Sequence, residues 1–371
     1  MRTICSLFGV AVLAAVALAA AGCGSSKPGT PPLVVGVVDD AAKWAPDPNR
    51  SLAQTHAAGF DAIVISAVWE RGATPAHDLP PLRRAVRAAV GHDVEPVLAV
   101  YQLSSSTPDT SADRASFAAY TAALARALPS VRQVIVGNEP NLNLFWEPQF
   151  GPDGSDVAAA SYEALLATTY DALKALSTPP DVIGGGLAPR GGDDASASRQ
   201  THSPTAFIRD LGAVYRASGR SKPLMDAFSI HVYGESPRIP PGLAHPRTTS
   251  LGIADYHHLV ALLGAAFDGT AQAGSELPIV YGEYGVETSV PADKASLYQG
   301  REVVSAVNSA TQAVFYRQAI ELARHQPTVR MLCFFHVDDE SRLAGLQSGV
   351  RYVDGTPKPS LDAVRTTPRA R

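Results

Sequence analysis

The sequence predicts a single-domain α/β fold, a (β/α)₈ barrel of the TIM-barrel class. Short apolar runs, most of them rich in β-branched residues, alternate with longer Ala- and Leu-rich segments of helical period. This alternation is typical of βαβ units built around a parallel sheet. Eight such units account for most of the 371 residues and leave no material for a second domain.

The predicted elements follow one another in strict alternation. The strands are the runs 33–38, 62–68, 94–100, 131–136, 182–186, 227–232, 278–282 and 329–335. The helices are the segments 51–58, 79–90, 112–127, 157–176, 205–218, 253–267, 299–324 and 360–365. An open, doubly wound sheet is the alternative, but it calls for a Gly-rich phosphate-binding turn after the first strand, where Asp39, Asp40 and Trp44 stand instead.

The first 22 residues have the pattern of an export signal and not of a folded segment. Arg2 precedes an apolar run, 7–21, that is too short to span a bilayer and ends in small residues. The ending resembles a bacterial lipoprotein signal, which implies lipidation of Cys23, although Ala20 stands where Leu is commonest. Residues 23–32 are then a flexible tether and 33–371 the barrel, on the outer face of the cell membrane. An ordinary cleaved signal with an incidental cysteine, and hence a secreted protein, is the alternative.

Composition excludes some kinds of partner. The net charge is −4 and the pI is about 6.2, so no large basic face is expected and nucleic acid is excluded as a partner. Once the signal and its Cys5 are removed, only Cys23 and Cys333 remain, so no intramolecular disulfide framework is expected. Cys333 lies in an apolar run and is interpreted as a small core residue. We expect a monomer without a cofactor.

Polar and aromatic side chains gather directly after the predicted strands, at the end of a barrel where active sites lie. In strand order they are Asp39, Asp40 and Trp44; Trp69 and Glu70; Tyr101 and Gln102; Asn138, Glu139 and Trp146; His231 and Tyr233; Glu283 and Tyr284; and His336, Asp338 and Asp339. Aromatic rings beside carboxylates and amides suit a sugar, whose C–H faces stack on rings while its hydroxyls seek polar partners. We therefore expect a carbohydrate substrate, contacted by Trp69, Trp146, Tyr101 and His336.

Two glutamates support a more specific hypothesis, because each ends a buried strand in a similar setting. Glu139 follows Val134-Ile-Val-Gly-Asn138, and Glu283 follows Pro278-Ile-Val-Tyr-Gly282. Hydrolysis of a glycoside needs one carboxylic acid to protonate the leaving oxygen and one carboxylate at the anomeric carbon. A spacing of about 5 to 5.5 Å between them makes the second a nucleophile, with retention of configuration.

Three short motifs carry a family resemblance. Gly137-Asn-Glu-Pro140, His231-Val-Tyr233 and Tyr281-Gly-Glu283 resemble the ends of the fourth, sixth and seventh strands in clan A retaining glycoside hydrolases, and most closely families 5 and 39. The resemblance extends over the whole barrel, from about residue 33 onwards. It implies hydrolysis of O-glycosidic bonds in a poly- or oligosaccharide by double displacement.

The resemblance also implies a role for each residue of these motifs. Glu139 would be the general acid/base and Glu283 the nucleophile. Asn138 would bind the sugar 2-hydroxyl, Tyr233 would keep Glu283 ionised, and His231 would line the site near the acid/base. With Glu283 charged, Glu139 is expected to hold its proton near neutral pH. Where many clan members end the eighth strand with Trp, this chain has Phe335-His336, so the sugar is left open.

Three alternatives remain. A metal-dependent barrel hydrolase could use the metal-ligating side chains at this end, which are His231, His336, Asp338 and Asp339, but the chain lacks a His-x-His pair after the first strand. A non-catalytic, carbohydrate-binding lipoprotein would have the same fold without turnover. A transglycosylase would have the same residues but transfer the sugar to another sugar.

Overall fold

The computed structural model describes residues 31–371, and its eight parallel strands form a closed barrel in which each strand pairs with the next and β8 pairs with β1. The strands are β1 Val34–Val38, β2 Ala62–Val68, β3 Glu95–Tyr101, β4 Gln133–Val136, β5 Asp181–Leu187, β6 Ala227–His231, β7 Ile279–Tyr284 and β8 Val329–Phe335. The predicted fold class is confirmed. The predicted signal peptide, Cys23 and most of the tether lie outside the described residues.

Helices follow the strands around the outside of the barrel. They are α1 Ala41–Trp44, α2 Pro48–Ala57, α3 Pro75–Gly91, α4 Ser111–Ala127, α5 Val157–Lys174, α6 Pro204–Ser218, α7 Tyr256–Phe267, α8 Ser309–Arg324 and α9 Pro359–Thr366. None of these helices is long and apolar enough to cross a membrane. Each lies in the predicted place except α1, a single turn that the sequence pattern did not indicate.

The start of α8 is the largest difference from the predicted elements. The helix begins at Ser309 and not at residue 299, because the side chain of Asn308 accepts a hydrogen bond from the backbone N–H of Thr311 and caps it. The ten residues before it form a loop whose backbone bonds other loops, as when Val307 N–H donates to the carbonyl of Glu287. Segment 299–308 is therefore part of the barrel mouth.

The apolar core has two layers. The larger lies between the outer face of the sheet and the helices, and the smaller fills the inside of the barrel with side chains such as Val64, Val97, Ile135 and Met331. Cys333 belongs to this inner layer, as predicted, and burial raises the pKa of its thiol. Because the inner layer closes the barrel from below, the space above it opens only at the carboxyl ends of the strands.

Candidate active site

A cavity of about 270 Å³ lies above the inner core layer, and we call it the central cavity. It brings together side chains from strands on all sides of the barrel. The predicted site residues that line it are Asn138, Glu139, His231, Glu283, Tyr101 and His336. Tyr233 is half-buried and lies against Glu283 beside the same cavity. His231 and Glu139, which are 92 residues apart in the sequence, are thus in direct contact.

A constrained turn positions Glu139 after β4. Gly137 has φ of +85°, and a Cβ there would lie 2.9 Å from the ring of Tyr162, so the position requires glycine. Glu139 itself has φ of +39°, an uncommon value for a residue with a side chain. Its N–H donates to the carbonyl of Gly186 at the end of β5. The backbone therefore delivers the carboxylate to the cavity in a strained but well-supported conformation.

Asn141 supports this turn, a role that the sequence pattern did not indicate. Its side chain is fully buried, donates to the carbonyls of Ala188 and His202, and accepts from the N–H of Ala188. It therefore ties the loop after β4 to the loop after β5. The only sequence signal was its place directly after Pro140, which does not tell such a side chain from an exposed loop residue.

A shift in strand register places Glu283 beside His231. Ile230 of β6 pairs with Tyr281 of β7, but the next residue, His231, pairs with Glu283, so Gly282 is extra. A Cβ on Gly282 would come within 2.5 Å of the hydroxyl of Ser229 and 3.2 Å of the His231 ring. A bulge of this kind redirects the following side chain, and here it turns the Glu283 carboxylate toward the cavity.

His231 lies between the two carboxylates. Its Nδ1 is 2.9 Å from Oε1 of Glu139 and 3.4 Å from Oε2 of Glu283. These two distances together limit the separation of the two carboxylate oxygens to about 6.3 Å. Two glutamates from β4 and β7 therefore face each other across a gap no larger than a sugar ring.

The groups around Glu283 have opposing effects on its pKa. Burial raises the pKa of Glu283 above its usual range, and the charge of Glu139 adds to this, while His231 and the hydroxyl of Tyr233 act against it. Tyr233 Oη donates to Oε2 of Glu283 at 2.9 Å. Burial, with the charge of Glu283, holds the pKa of Tyr233 well above its usual value, so the phenol keeps the proton that it donates.

The two glutamates favour the charged form of His231. Burial by itself would lower the pKa of its imidazole, but the charges of Glu283 and Glu139 and the hydrogen bond with Glu139 together raise it. Two carboxylates this close ionise in steps that belong to the pair, and His231 contacts both of them.

The remaining wall of the cavity comes from β1, β3 and β8. Asp40 is held by Ser66 and by Lys43, whose Nζ is 3.2 Å from its Oδ2. Tyr101 lies edge-on to Phe145, a lining residue that the sequence pattern did not indicate. Phe335 occupies the end of β8, where the family resemblance implies Trp. The cavity thus combines aromatic rings with polar groups, as a sugar site requires.

Two predicted sugar contacts need correction, since Trp69 and Trp146 have 0% of their surface exposed and do not line the cavity. Trp69 packs edge-on against Phe117, and Trp146 packs edge-on against Tyr162, each with ring centres 5.6 Å apart. The positions after the strands were as predicted, but the rings turn outward, under the helices. Neither indole can stack on a bound sugar in this arrangement.

The buried position of Trp69 leads to a stability prediction. We expect Trp69→Ala to lower the free energy of unfolding by about 3 to 5 kcal/mol, because it leaves a cavity beneath α4. Trp44, with 64% of its surface exposed, is the matched control, and Trp44→Ala should cost less than about 1 kcal/mol. Denaturant unfolding measures both. A Trp69→Ala protein of unchanged stability would contradict the packing described here.

Two of the three side chains after β8 that suggested a metal site, Asp338 and Asp339, are engaged outside the central cavity, whereas His336 lines it. Asp338 pairs with Arg351 and Asp339 with the buried Lys358, each with a shortest N–O distance of 2.6 Å. Neither lines the central cavity. Within residues 31–371, no cluster of three or more His, Cys, Asp or Glu side chains is arranged to hold a metal ion. The donor set of a metal-dependent hydrolase is therefore not assembled by the residues proposed for it.

Comparison with known proteins finds similarity only to solved structures. No protein-family model matches the sequence, and no curated protein sequence matches it either. Among solved structures, a family 39 glycoside hydrolase from the gut symbiont Bacteroides cellulosilyticus WH2 superposes with a TM-score of 0.63 at 18% identity, over 91% of this chain and 64% of that one. This chain thus spans less than two thirds of that enzyme.

Two further structures have the same barrel. A monomeric β-xylosidase from Caulobacter crescentus CB15 gives a TM-score of 0.56 at 18% identity, over 91% of this chain and 67% of that one. A GH5-4 broad-specificity endoglucanase from Clostridium acetobutylicum gives 0.57 at 14% identity, over 90% of this chain and 97% of that one. At such identities the similarity establishes only the fold, which is a barrel that glycoside hydrolases share. The chemistry has to be inferred from the residues of the site.

Proposed function

We propose that this protein is a retaining glycoside hydrolase that cleaves O-glycosidic bonds of a poly- or oligosaccharide. The observation that carries the proposal is that Oε1 of Glu139 and Oε2 of Glu283 both contact Nδ1 of His231, so that these two oxygens lie within about 6.3 Å of each other, a short separation for a pair of catalytic carboxylates. Retaining enzymes place their carboxyl groups about 5 to 5.5 Å apart, whereas inverting enzymes leave about 6.5 to 9.5 Å for a water molecule. The glycoside hydrolases that share the barrel support the same class of reaction.

In the first step Glu283 attacks the anomeric carbon while Glu139 protonates the leaving oxygen. The hydrogen bond from Tyr233 stabilises the ionised form of Glu283, which is the reactive form. The mechanism requires that Glu139 carry the proton in this step, and His231 Nδ1 lies 2.9 Å from its Oε1. The products of this step are a free leaving group and a glycosyl ester on Glu283.

In the second step Glu139 acts as a base. It removes a proton from an incoming water, which attacks the glycosyl ester and releases Glu283 as a carboxylate. Two inversions at the same carbon give net retention. A sugar hydroxyl in place of the water would give transglycosylation with the same residues, so product analysis by mass over a panel of cell-wall and plant polysaccharides separates the two outcomes.

Covalent trapping tests the proposal most directly. A 2-deoxy-2-fluoro glycoside with a good leaving group slows the second step more than the first, so the ester on Glu283 should accumulate. Peptide mass spectrometry should find the added sugar on Glu283 and on no other carboxylate. A carbohydrate-binding protein without turnover would bind the same reagent and remain unmodified. Failure to label with every sugar that the protein binds would refute the hydrolase.

Tyr233→Phe should shift the pH dependence of activity. Removing the phenol takes away a hydrogen bond that favours the charged form of Glu283, so the pKa of Glu283 rises and the acidic limb of kcat/KM moves to higher pH. A bond of this kind, worth about 1.5 to 3 kcal/mol, corresponds to about 1 to 2 pH units. Tyr284→Phe is the control, since the Tyr284 hydroxyl bonds no described group. Equal profiles in both variants would contradict the role of Tyr233.

Export and lipidation at Cys23 form a separate proposal. We propose that the protein is held as a monomer at the outer face of the cell membrane by a lipid on Cys23. The apolar run 7–21 and the small residues before Cys23 support it. Cys23→Ser should release the protein from the membrane fraction into the medium, while lipid attachment should be visible by mass on the wild-type amino-terminal peptide. Membrane association that survives Cys23→Ser would contradict it.

A further inference from the structure

We propose that the substrate carries a negative charge on its leaving-group side, as an acidic sugar does, and that Arg190 and Arg199 bind this charge. The inference rests on the proposed function, because it takes Glu139 as the proton donor. The proposed substrate has two parts. A neutral sugar, which forms the ester with Glu283, is joined to an anionic sugar, which leaves.

A second cavity, of about 470 Å³, lies beside Glu139, and we call it the arginine cavity. Its walls come from the loops after β4 and β5, and it includes Glu139 but not Glu283. The leaving oxygen must lie against the acid that protonates it. The arginine cavity is therefore the space into which the leaving group extends, while the central cavity, lined by both glutamates, holds the sugar that forms the ester.

The charge of this cavity is positive. Arg190 and Arg199 both line it, and Glu139 is the only acidic side chain in its wall. Within residues 31–371, neither guanidinium group has a carboxylate within ion-pairing distance. In a chain of net charge −4, two arginines left without acidic partners beside a reaction centre are available to a ligand. The planar fork of a guanidinium matches a carboxylate or sulfate group.

The central cavity has the opposite character. Its wall contains four carboxyl side chains, Asp39, Asp40, Glu139 and Glu283, against two imidazoles, His231 and His336, and it contains no arginine or lysine, although Lys43 pairs with Asp40. A negatively charged sugar placed there would meet like charges in a partly buried site, which is unfavourable. The sugar that forms the ester is therefore neutral, and the two cavities divide the substrate into a neutral and an anionic part.

The arginine cavity is a formed structure and not a gap between loose loops. Gly191 packs so closely on the backbone of His202 that a Cβ would lie 1.9 Å from its carbonyl oxygen. Gly192 N–H donates to Oγ1 of Thr201, and the backbone of Thr201 forms an antiparallel bridge with that of Leu142. Arg190 donates to the carbonyl of Gly234, at 2.5 Å. The part of the wall that carries Arg190 is thus held at Arg190, Gly191 and Gly192, and the segment that carries Arg199 is held at Thr201.

Equilibrium binding of small glycosides to the full chain tests the inference without turnover. The probes are methyl β-D-glucuronide, its methyl ester, and methyl β-D-glucoside 6-sulfate, measured by ligand-observed NMR or calorimetry. We expect both anions to bind at least about threefold more tightly than the neutral ester. The anionic probe that binds more tightly indicates whether the natural group is a carboxylate or a sulfate ester. The ratio between the affinities of the anionic and the neutral probes should fall as the salt concentration is raised.

Variants locate the effect. Arg199→Gln should abolish the preference for the anion, and Arg190→Gln should reduce it, although the latter also frees the carbonyl of Gly234. Arg83 is an exposed residue of α3 that does not line the arginine cavity. Arg83→Gln therefore removes the same charge elsewhere and should leave the preference for the anion unchanged. Equal binding of glucuronide and ester by the wild type, or a preference that survives in Arg199→Gln, would overturn the inference.

The same measurements separate this inference from the proposed function. Equal binding of charged and neutral probes, together with successful trapping of Glu283, would refute the charge preference and leave the hydrolase in place. Charge-selective binding that depends on Arg199, without trapping by any fluoro glycoside, would refute the hydrolase and keep the anion site.

Discussion

Glu283→Ala is expected to reduce turnover on the order of 10⁴-fold or more, because the first bond to the anomeric carbon can no longer form. The cavity wall also contains Asp39 and Asp40, but both are engaged by other groups: Asp40 by Ser66 and Lys43, and Asp39 by the backbone N–H groups of Ala41 and Val337. Azide added to the variant should enter the space that the side chain vacated and attack the anomeric carbon. The product should then be a glycosyl azide of inverted configuration, identified by NMR.

The control for this prediction is Glu70→Ala. Glu70 is an exposed glutamate that follows β2 at the same end of the barrel, and it does not line the central cavity. Its loss should leave kcat/KM unchanged. Full activity in Glu283→Ala, on a substrate that the wild type turns over, would remove Glu283 from the mechanism.

Glu139→Ala should produce a loss that depends on the leaving group. For a sugar leaving group, which needs protonation, we expect kcat/KM to fall by about 10² to 10⁴-fold. A dinitrophenyl glycoside departs without help, so the first step should stay fast and the glycosyl ester should accumulate. Azide should then rescue turnover with retained configuration, because it replaces the base in the second step on the face where Glu139 stood.

The two leaving groups serve as each other's control within one variant. A loss of equal size for both would indicate that Glu139 shapes the cavity without transferring a proton. Inverted glycosyl azide from Glu139→Ala, or retained azide from Glu283→Ala, would exchange the two roles. Together the two variants therefore assign acid/base and nucleophile independently of any family resemblance.

The sequence allowed the main features of the site to be anticipated because they depend on strand periodicity. A buried run that ends at Gly137 places the next residues at the carboxyl end of a strand, and in a parallel barrel all such ends meet at one face. For the same reason His231 and Tyr233, two residues apart, were expected on one side. The contact between His231 and Glu139 follows from closure of the barrel, which the strand count had implied.

Other features depended on contacts that no local pattern encodes. Trp69 and Trp146 follow strands as predicted, but packing against Phe117 and Tyr162 turns them away from the cavity. Whether a ring after a strand faces inward or outward depends on the backbone of that turn, and one residue more or less reverses it. The extra residue Gly282 has the converse effect, since it turns Glu283 inward.

The alternation of apolar runs and helical segments was sufficient to specify a closed barrel and the two strands that carry the glutamates. Their separation, the imidazole of His231 between them and the buried support from Asn141 arise from side chains distant in the chain. The placement of Arg190 and Arg199 around one cavity likewise depends on side chains that are distant in the chain. Periodicity reports which face of an element a residue occupies, whereas distance and charge in a site depend on how several loops pack together.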